Sequence, residues 1–485
     1  MPFAFVILRK TLAAAVLAAG LAACAGSYEV GRQVTLPEPP PERPARQTPA
    51  QREHQRILVA YGGAYNNPAL ENALNRTVEK LVAASERPDL SYKVTILNSP
   101  AVNAFALPTG QIYITRGLLA LSNDESEVAS VLSHEMAHVI ARHAAIREDQ
   151  IRQAAILSRV ASDVIGDQQL GALALAKSKI ALATFSRGQE LEADGIGVGI
   201  SSRAGYDPFG ATRFLTSMGR NAELRGVVAK PDAAAAEFLS SHPATPERVA
   251  NATLNARQYE APASTAADKA AYLQLLSGLT YGEDPSDGFV RGRRFLHPKL
   301  GFTFTAPDGF LLENTPQAVF GVREGGDQAL RLDVVRIPND QPLKEYLQSG
   351  WIENIDLTSI EEVTVNGFRG ATAIAKGEPW GFRLYAIRFG SEVYRFIFAA
   401  KTKTPELDRM FRESVQTFRR MSVAEARAAR PLRLQTVTVG PQDSVERLAQ
   451  RMAYADRQVE RFRILNGLDA NARLRPGDVV KIVVE

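Results

Sequence analysis

The run His134-Glu135-Met136-Ala137-His138 constrains this chain more than any other feature. In an α-helix, residues four apart stand one above the other, about 5–6 Å between Cβ atoms. Two imidazoles at that spacing can grip one zinc ion, and the glutamate beside the first can reach a water held there. The chain has only six histidines, so the pattern does not come from a histidine-rich composition. The competing reading is a surface helix that carries two histidines by chance. The flanks predict a helix: Ser122 or Asn123 can cap it, and Asp124, Glu125 and Glu127 place negative charge in its first turn. Arg142 and Arg147 fall toward the C-terminal end, where positive charge is favourable. Val128, Val131, Leu132, Val139 and Ile140 make much of its surface apolar, which predicts burial around the metal. His143, five residues past His138, turns off that face and reads as a helix-end histidine rather than a ligand.

A third ligand is available downstream. Within Ser186-Arg187-Gly188-Gln189-Glu190-Leu191-Glu192-Ala193-Asp194, Glu190 and Asp194 share one helical face while Glu192 points elsewhere. Glu190 can bind the metal, and Asp194 can accept a hydrogen bond from a ligand histidine's far nitrogen, fixing its tautomer. An acidic pair on a helix is usually a solvated face. Here Ala193, Gly195, Gly197 and Gly199 allow close helix packing beside it.

With Asn103-Ala104-Phe105-Ala106, Pro108-Thr109-Gly110 and Ile112-Tyr113-Ile114-Thr115-Arg116-Gly117, these motifs resemble the BepA-like and HtpX-like zinc metalloproteases, relatives of the CAAX prenyl protease. The resemblance covers about residues 57–255. It implies a mainly helical minigluzincin domain with a small sheet. It also implies one Zn2+ held by His134, His138 and Glu190, with Glu135 as general base. The strand at Asn103, Ala104 and Phe105 is then an edge on which an extended substrate aligns, in keeping with strand addition. Leu239-Ser240-Ser241-His242-Pro243-Ala244-Thr245-Pro246-Glu247-Arg248 is a further family-like element. In similar enzymes its histidine lies near the metal, so His242 can stabilise the oxyanion or plug the site as a fourth ligand. Arg248 is a candidate for contacting substrate or holding this loop.

The amino terminus speaks to location. Residues 1–23 read as a signal peptide, with Arg9 and Lys10 before an apolar run too short to span a bilayer. Leu21-Ala22-Ala23-Cys24 resembles a bacterial lipobox, which makes Cys24 the lipidation site; a chance cysteine after an ordinary signal peptide is the alternative. Cys24 is the only cysteine, so no intramolecular disulfide is available. Ala25 is not the aspartate associated with inner-membrane retention. The expectation is a periplasmic protein tethered by lipid to the inner leaflet of a Gram-negative outer membrane. Residues 24–56 form the Pro-rich tether. A net charge of +4 with no concentrated basic tract argues against a nucleic-acid partner.

The whole chain reads as a multidomain α+β protein. Residues 150–185, rich in Ala, Leu and Ile, suggest a lid or packing helices. Residues 256–295 read as a linker with a short helix near 267–279. Strand-like runs and the Asn366-Gly367 turn predict an antiparallel α+β sandwich over 296–422. That sandwich is weakly similar to the PsbP/DcrB-like fold, and His297 at its start reads as structural. Residues 432–485 resemble a LysM module of order β-α-α-β, which implies peptidoglycan as a partner. Gln442 stands where that motif usually has glycine, in the loop that would meet the sugar.

These readings favour a periplasmic zinc metalloendopeptidase acting on misfolded or stalled envelope proteins, with the outer-membrane assembly machinery as a partner. The alternatives are a chaperone or assembly factor with a latent zinc site, and a peptidoglycan endopeptidase.

Overall fold

The computed structural model describes residues 47–149, 152–153, 185–225, 242–243, 245–262, 266–323, 325–402, 404–454 and 456–485. The signal peptide, Cys24, most of the tether and most of the 150–185 segment lie outside them. No described helix is long and apolar enough to cross a membrane. The chain divides into residues 1–51 and 52–485. In the first unit, Thr48 and Gln51 exchange side-chain and backbone hydrogen bonds at a helix start.

The metal-motif helix is the centre of the second unit. It follows α1 (Pro49–Ala60), α2 (Pro68–Ala83), β1 (Lys93–Leu97), β2 (Ala104–Leu107), β3 (Gln111–Thr115) and α3 (Arg116–Leu121), and is itself α4 (Glu125–Ile140). Its cap is Asp124, whose carboxylate accepts from Glu127 N at 2.9 Å, not the expected Ser122 or Asn123. Ser122 is already engaged, its hydroxyl donating to Leu119 O and lying 2.5 Å from Tyr272 OH. The three strands run in the order β1-β3-β2, with β1 parallel and β2 antiparallel to β3, leaving β2 at the edge. Val94, Ile96, Ile112 and Ile114 from the sheet share a core with Leu132 and Met136 of α4.

Three more helices close the site: α5 (Arg187–Arg203), α6 (Gly210–Arg225) and α7 (Pro246–Ala256). α5 begins with a capping box between Ser186 and Gln189. It crosses α4 at Gly197, where a Cβ would come within 3.0 Å of His134 N and 3.1 Å of its Cα. Any side chain there would push the two helices apart. That close approach brings Glu190 and Asp194 within reach of the histidines.

The expected linker over 256–295 is a correction. Helix α8 (Ala266–Leu275) and the turn after it bury Tyr272, Leu273, Leu276 and Leu279 in the first core. β4 (Thr280–Tyr281) pairs antiparallel with Leu432 and Arg433, far downstream. The hairpin β5 (Phe289–Arg291) and β6 (Arg294–His297) then opens the second domain, so that domain starts before residue 296. Strands of two to four residues leave too little alternation to read.

The second domain stacks two antiparallel sheets. β5 and β6 join β7 (Phe302–Thr305) and, beyond it, β15 (Arg419–Arg420). The larger sheet holds β8 (Phe310–Asn314), β9 (Val319–Arg323), β10 (Gln328–Val335), β11 (Ile355–Val365), β12 (Phe368–Lys376), β13 (Gly381–Phe389) and β14 (Glu392–Ala400). Its order is β11-β12-β13-β14-β10-β9-β8. Two helices, α9 (Leu343–Gln348) and α10 (Pro405–Gln416), accompany it. Phe302, Phe304, Phe396, Phe398, Phe411 and Phe418 fill the layer between. β8 was not expected from the sequence; its burial alternates, but exposed Leu311 between Phe310 and Leu312 hides the apolar–polar pattern.

After α11 (Val423–Ala428) the chain forms β16 (Leu432–Thr438), α12 (Val445–Ala449), α13 (Gln458–Leu465) and β17 (Val479–Val484). This C-terminal module is not a separate bead. Leu434, Leu448, Phe462 and Val483 belong to the same core as the metal-motif helix. Lys481 is fully buried, and its Nζ donates to Ala120 O at 2.7 Å and Ser122 O at 2.5 Å, the carbonyls just before α4.

Candidate metal centre

His134 and His138 project from one face of α4, as their spacing requires, and their Nε2 atoms stand 3.1 Å apart. Glu190 reaches in from α5, with carboxylate oxygens 3.6 Å from His134 Nε2 and 3.5 Å from His138 Nε2. His242, just before α7, completes the group. Its Nδ1 lies 3.3 Å from His134 Nε2 and 2.9 Å from Glu190 Oε1. All four residues are buried, and their donor atoms lie within 4.8 Å of one another.

These distances test whether zinc fits. Donors about 2.0–2.1 Å from zinc in a tetrahedron stand roughly 3.3–3.4 Å from each other. The separations above scatter around that edge length. Three imidazole nitrogens and one carboxylate are also a donor set that zinc accepts. The residues fit the ion, with His242 at the fourth corner.

Around the donors runs a second ring of contacts. Asp194 Oδ1 lies 3.0 Å from His134 Nδ1, so the carboxylate accepts from that nitrogen and turns Nε2 inward. Arg248 braces this carboxylate with two bonds, Nε at 2.8 Å and Nη2 at 2.7 Å, and its Nη1 lies 2.9 Å from Glu190 Oε2. The same Nη1 donates to Pro243 O. Arg248 is buried, so it holds the acids and the His242 loop and does not face substrate.

His143 is where the sequence reading missed a contact. Its Nδ1 lies 2.9 Å from Nδ1 of His138, and its Nε2 lies 3.3 Å from Glu192. The expectation assumed a helix continuing past residue 140. Instead Ala141 caps α4 and Arg142 adopts a left-handed φ of 56°, which swings His143 back beneath His138. Glu192, expected to point elsewhere, thereby anchors the far side of His143. Phe185 covers His138, with ring centroids 4.1 Å apart.

The electrostatics keep the acids of this centre ionised and set the two helix histidines apart. Burial opposes charge on His134, yet Asp194 and Glu190 push its pKa up to about 9. Burial and the neighbouring imidazoles His134 and His242 push His138 down. Burial works against the charge of Glu190 too, but the hydrogen bonds from His134 and His242 hold its pKa well below the usual carboxylate range. Glu135 lies just outside the donor group. Burial raises its pKa, its Oε1 has no hydrogen-bond partner among the described residues, and His242 Nε2 is 3.9 Å away. A buried carboxylate with an oxygen free of hydrogen bonds, beside a group of metal-binding donors, is suited to moving a proton.

Of the expected edge residues, Asn103 lies just before β2, and Ala104 and Phe105 open it. Ala104 faces the core that includes α4.

Residues 68–256 match the model of "Peptidase family M48". A "Beta-barrel assembly-enhancing protease" of Yersinia pestis is 31% identical over 229 residues, covering 45% of this chain and 45% of that protein. "Mitochondrial metalloendopeptidase OMA1" of Schizosaccharomyces pombe is 31% identical over 207 residues, covering 41% of this chain and 58% of the relative. The chain therefore spans about half the length of these curated relatives. A solution structure of cyanobacterial PsbP from Synechocystis aligns with 27% of this chain and 98% of its own at 14% identity, with a TM-score of 0.22.

Proposed function

We propose that this chain, whose residues 68–256 match the model of peptidase family M48, is a zinc metalloendopeptidase that cleaves proteins of a bacterial cell envelope. The observation that carries the reading is the four-donor cluster of His134, His138, Glu190 and His242, with buried Glu135, its Oε1 free of hydrogen bonds, at its side.

In this reading His134, His138 and Glu190 hold the ion, Asp194 and His143 fix the two imidazoles, and Arg248 keeps the acids in place. Zinc, when bound, supplies a Lewis acid that polarises the scissile carbonyl and makes water beside it more acidic. Glu135 takes the proton from the attacking water and returns it to the leaving amine. His242 occupies the corner that water and substrate need, which supports its role as a plug that keeps the protease latent. The second reading keeps His242 beside the metal, where a ring nitrogen would donate to a developing oxyanion.

The name of the Yersinia pestis relative supports substrates among β-barrel proteins in assembly; misfolded or stalled chains as the cleaved fraction are part of this proposal. The lipobox-like Cys24 supports a periplasmic location on an outer-membrane lipid tether. The C-terminal module supports LysM-like peptidoglycan contact only in its β-α-α-β order; Lys481 and the shared core give it a buttressing role as well.

Incubation of the zinc-loaded chain with an unfolded protein tests the reading. Fragments that vanish on chelation are expected. Intact substrate alongside release of muropeptides from purified sacculi would move the substrate to peptidoglycan.

A further inference from the structure

β2 has a second face, and it carries an aromatic platform. Phe105 stacks on Tyr113 of β3, ring centroids 5.0 Å apart, and lies 5.7 Å from Tyr61. Leu58, Tyr61 and Leu107 pack around buried Ile57, Leu97 and Tyr113 on this side of the sheet, away from the metal. The arrangement is held by polar pins. Asn103 Nδ2 donates to Tyr61 OH at 2.9 Å, and His54 Nδ1 lies 2.8 Å from Tyr113 OH. Phe105 itself is only half-buried, at the open margin of the sheet.

Backbone direction decides what can meet it. Thr115 N donates to Asn103 O, so Asn103 and, by alternation, Phe105 and Leu107 spend their backbone groups on β3. Ala104 and Ala106 turn theirs outward, and among the described residues β2 pairs with β3 alone. An antiparallel strand added there would bond to the two alanines. Its residue opposite Phe105 would then fall in a non-hydrogen-bonded pair, where Cα atoms approach to about 4.5 Å and side chains touch most closely.

We propose that the Tyr61–Phe105–Tyr113 platform selects the substrate: a bound segment presents large apolar side chains at every second residue, opposite Phe105 and Leu107. The side chains between them pass the small Ala104 and Ala106 toward the metal. The preferred substrate class is an extended chain with the one-sided apolar pattern of a β-strand. This rests on the endopeptidase reading, and its test is independent of turnover.

The test uses the zinc-loaded full-length Glu135→Gln chain and two short dye-labelled peptides, one with Leu at alternate positions and one with Ser at those positions. Fluorescence anisotropy is expected to give about ten-fold tighter binding of the Leu peptide. Adding Phe105→Ser should collapse that ratio toward one, and Phe105→Leu should keep most of it. Equal affinities, no binding of either peptide, or a preference indifferent to Phe105→Ser each overturn the proposal. Cleavage of unfolded protein by the unmutated chain decides the endopeptidase reading separately.

Discussion

His242 Nδ1 lies 2.9 Å from Glu190 Oε1, close enough for both atoms to bind one ion. A plug of this kind lowers apparent activity by the fraction of molecules in which it is engaged. His242→Ala is therefore expected to retain one zinc per chain and to cleave an unfolded substrate about ten-fold faster or more. Metal analysis and a peptide assay check both halves. A ten-fold loss of activity with zinc retained would instead make His242 an oxyanion donor.

Glu135 is beside the donors but not among them. Glu135→Gln should leave zinc content unchanged and lower cleavage by roughly 10²–10⁴-fold, the usual contribution of a general base. His134→Ala should behave differently and lose the metal outright. Undiminished cleavage by Glu135→Gln would rule out the proposed proton path.

Arg248 neutralises two buried acids at once. Arg248→Met would strand Asp194 and Glu190 without their counter-charge, and removing one partner of such a buried group costs about 3–5 kcal/mol. Urea unfolding of the metal-free chain measures it. Added zinc should recover part of the loss, because the ion supplies charge to Glu190.

His297 gives the second domain an acid-sensitive point. Burial and, to a lesser degree, Lys299 lower its pKa to about 4, and its Nδ1 accepts from Leu300 N. The folded form thus binds fewer protons than the unfolded form between about pH 4 and the ordinary histidine value near 6.5. Stability contributed by the neutral ring is complete above that window and is lost as pH falls through it, by up to about 3 kcal/mol. His297→Asn keeps an acceptor without the titration. Its melting temperature should fall less than that of the unmutated chain between pH 7 and pH 4.5.

Lys481 joins the C-terminal module to the residues just ahead of the metal-motif helix. Lys481→Met leaves two buried carbonyls without a donor and should cost about 1–3 kcal/mol. The module and the peptidase should still unfold together, in one calorimetric transition. Two transitions would show that the shared core does not couple them.

What the sequence revealed follows from the range of each interaction. His134, His138, Glu190 and Asp194 were legible because helical spacing alone places each pair on one face. His143 was not, since a single left-handed residue at Arg142 reset the helical phase. Nor was the closeness of the two helices at Gly197 specified by local pattern; the glycine was visible, its partner His134 was not. The supposed linker hid β4, β5 and β6 because each depends on pairing with a distant strand. Lys481 sits in an apolar strand where a lysine normally reads as solvent-facing, and only the packed module reveals the two carbonyls that receive it.

Tyr281, the last residue of β4, lies directly opposite Leu432, the first of β16. The intervening chain, 282–431, leaves and returns at neighbouring points, like a very large hairpin loop. The middle domain is thus inserted like a cassette: a short turn from Tyr281 to Leu432 would still join the catalytic body to its C-terminal support, giving up contacts such as Gln317 Nε2 to Val59 O.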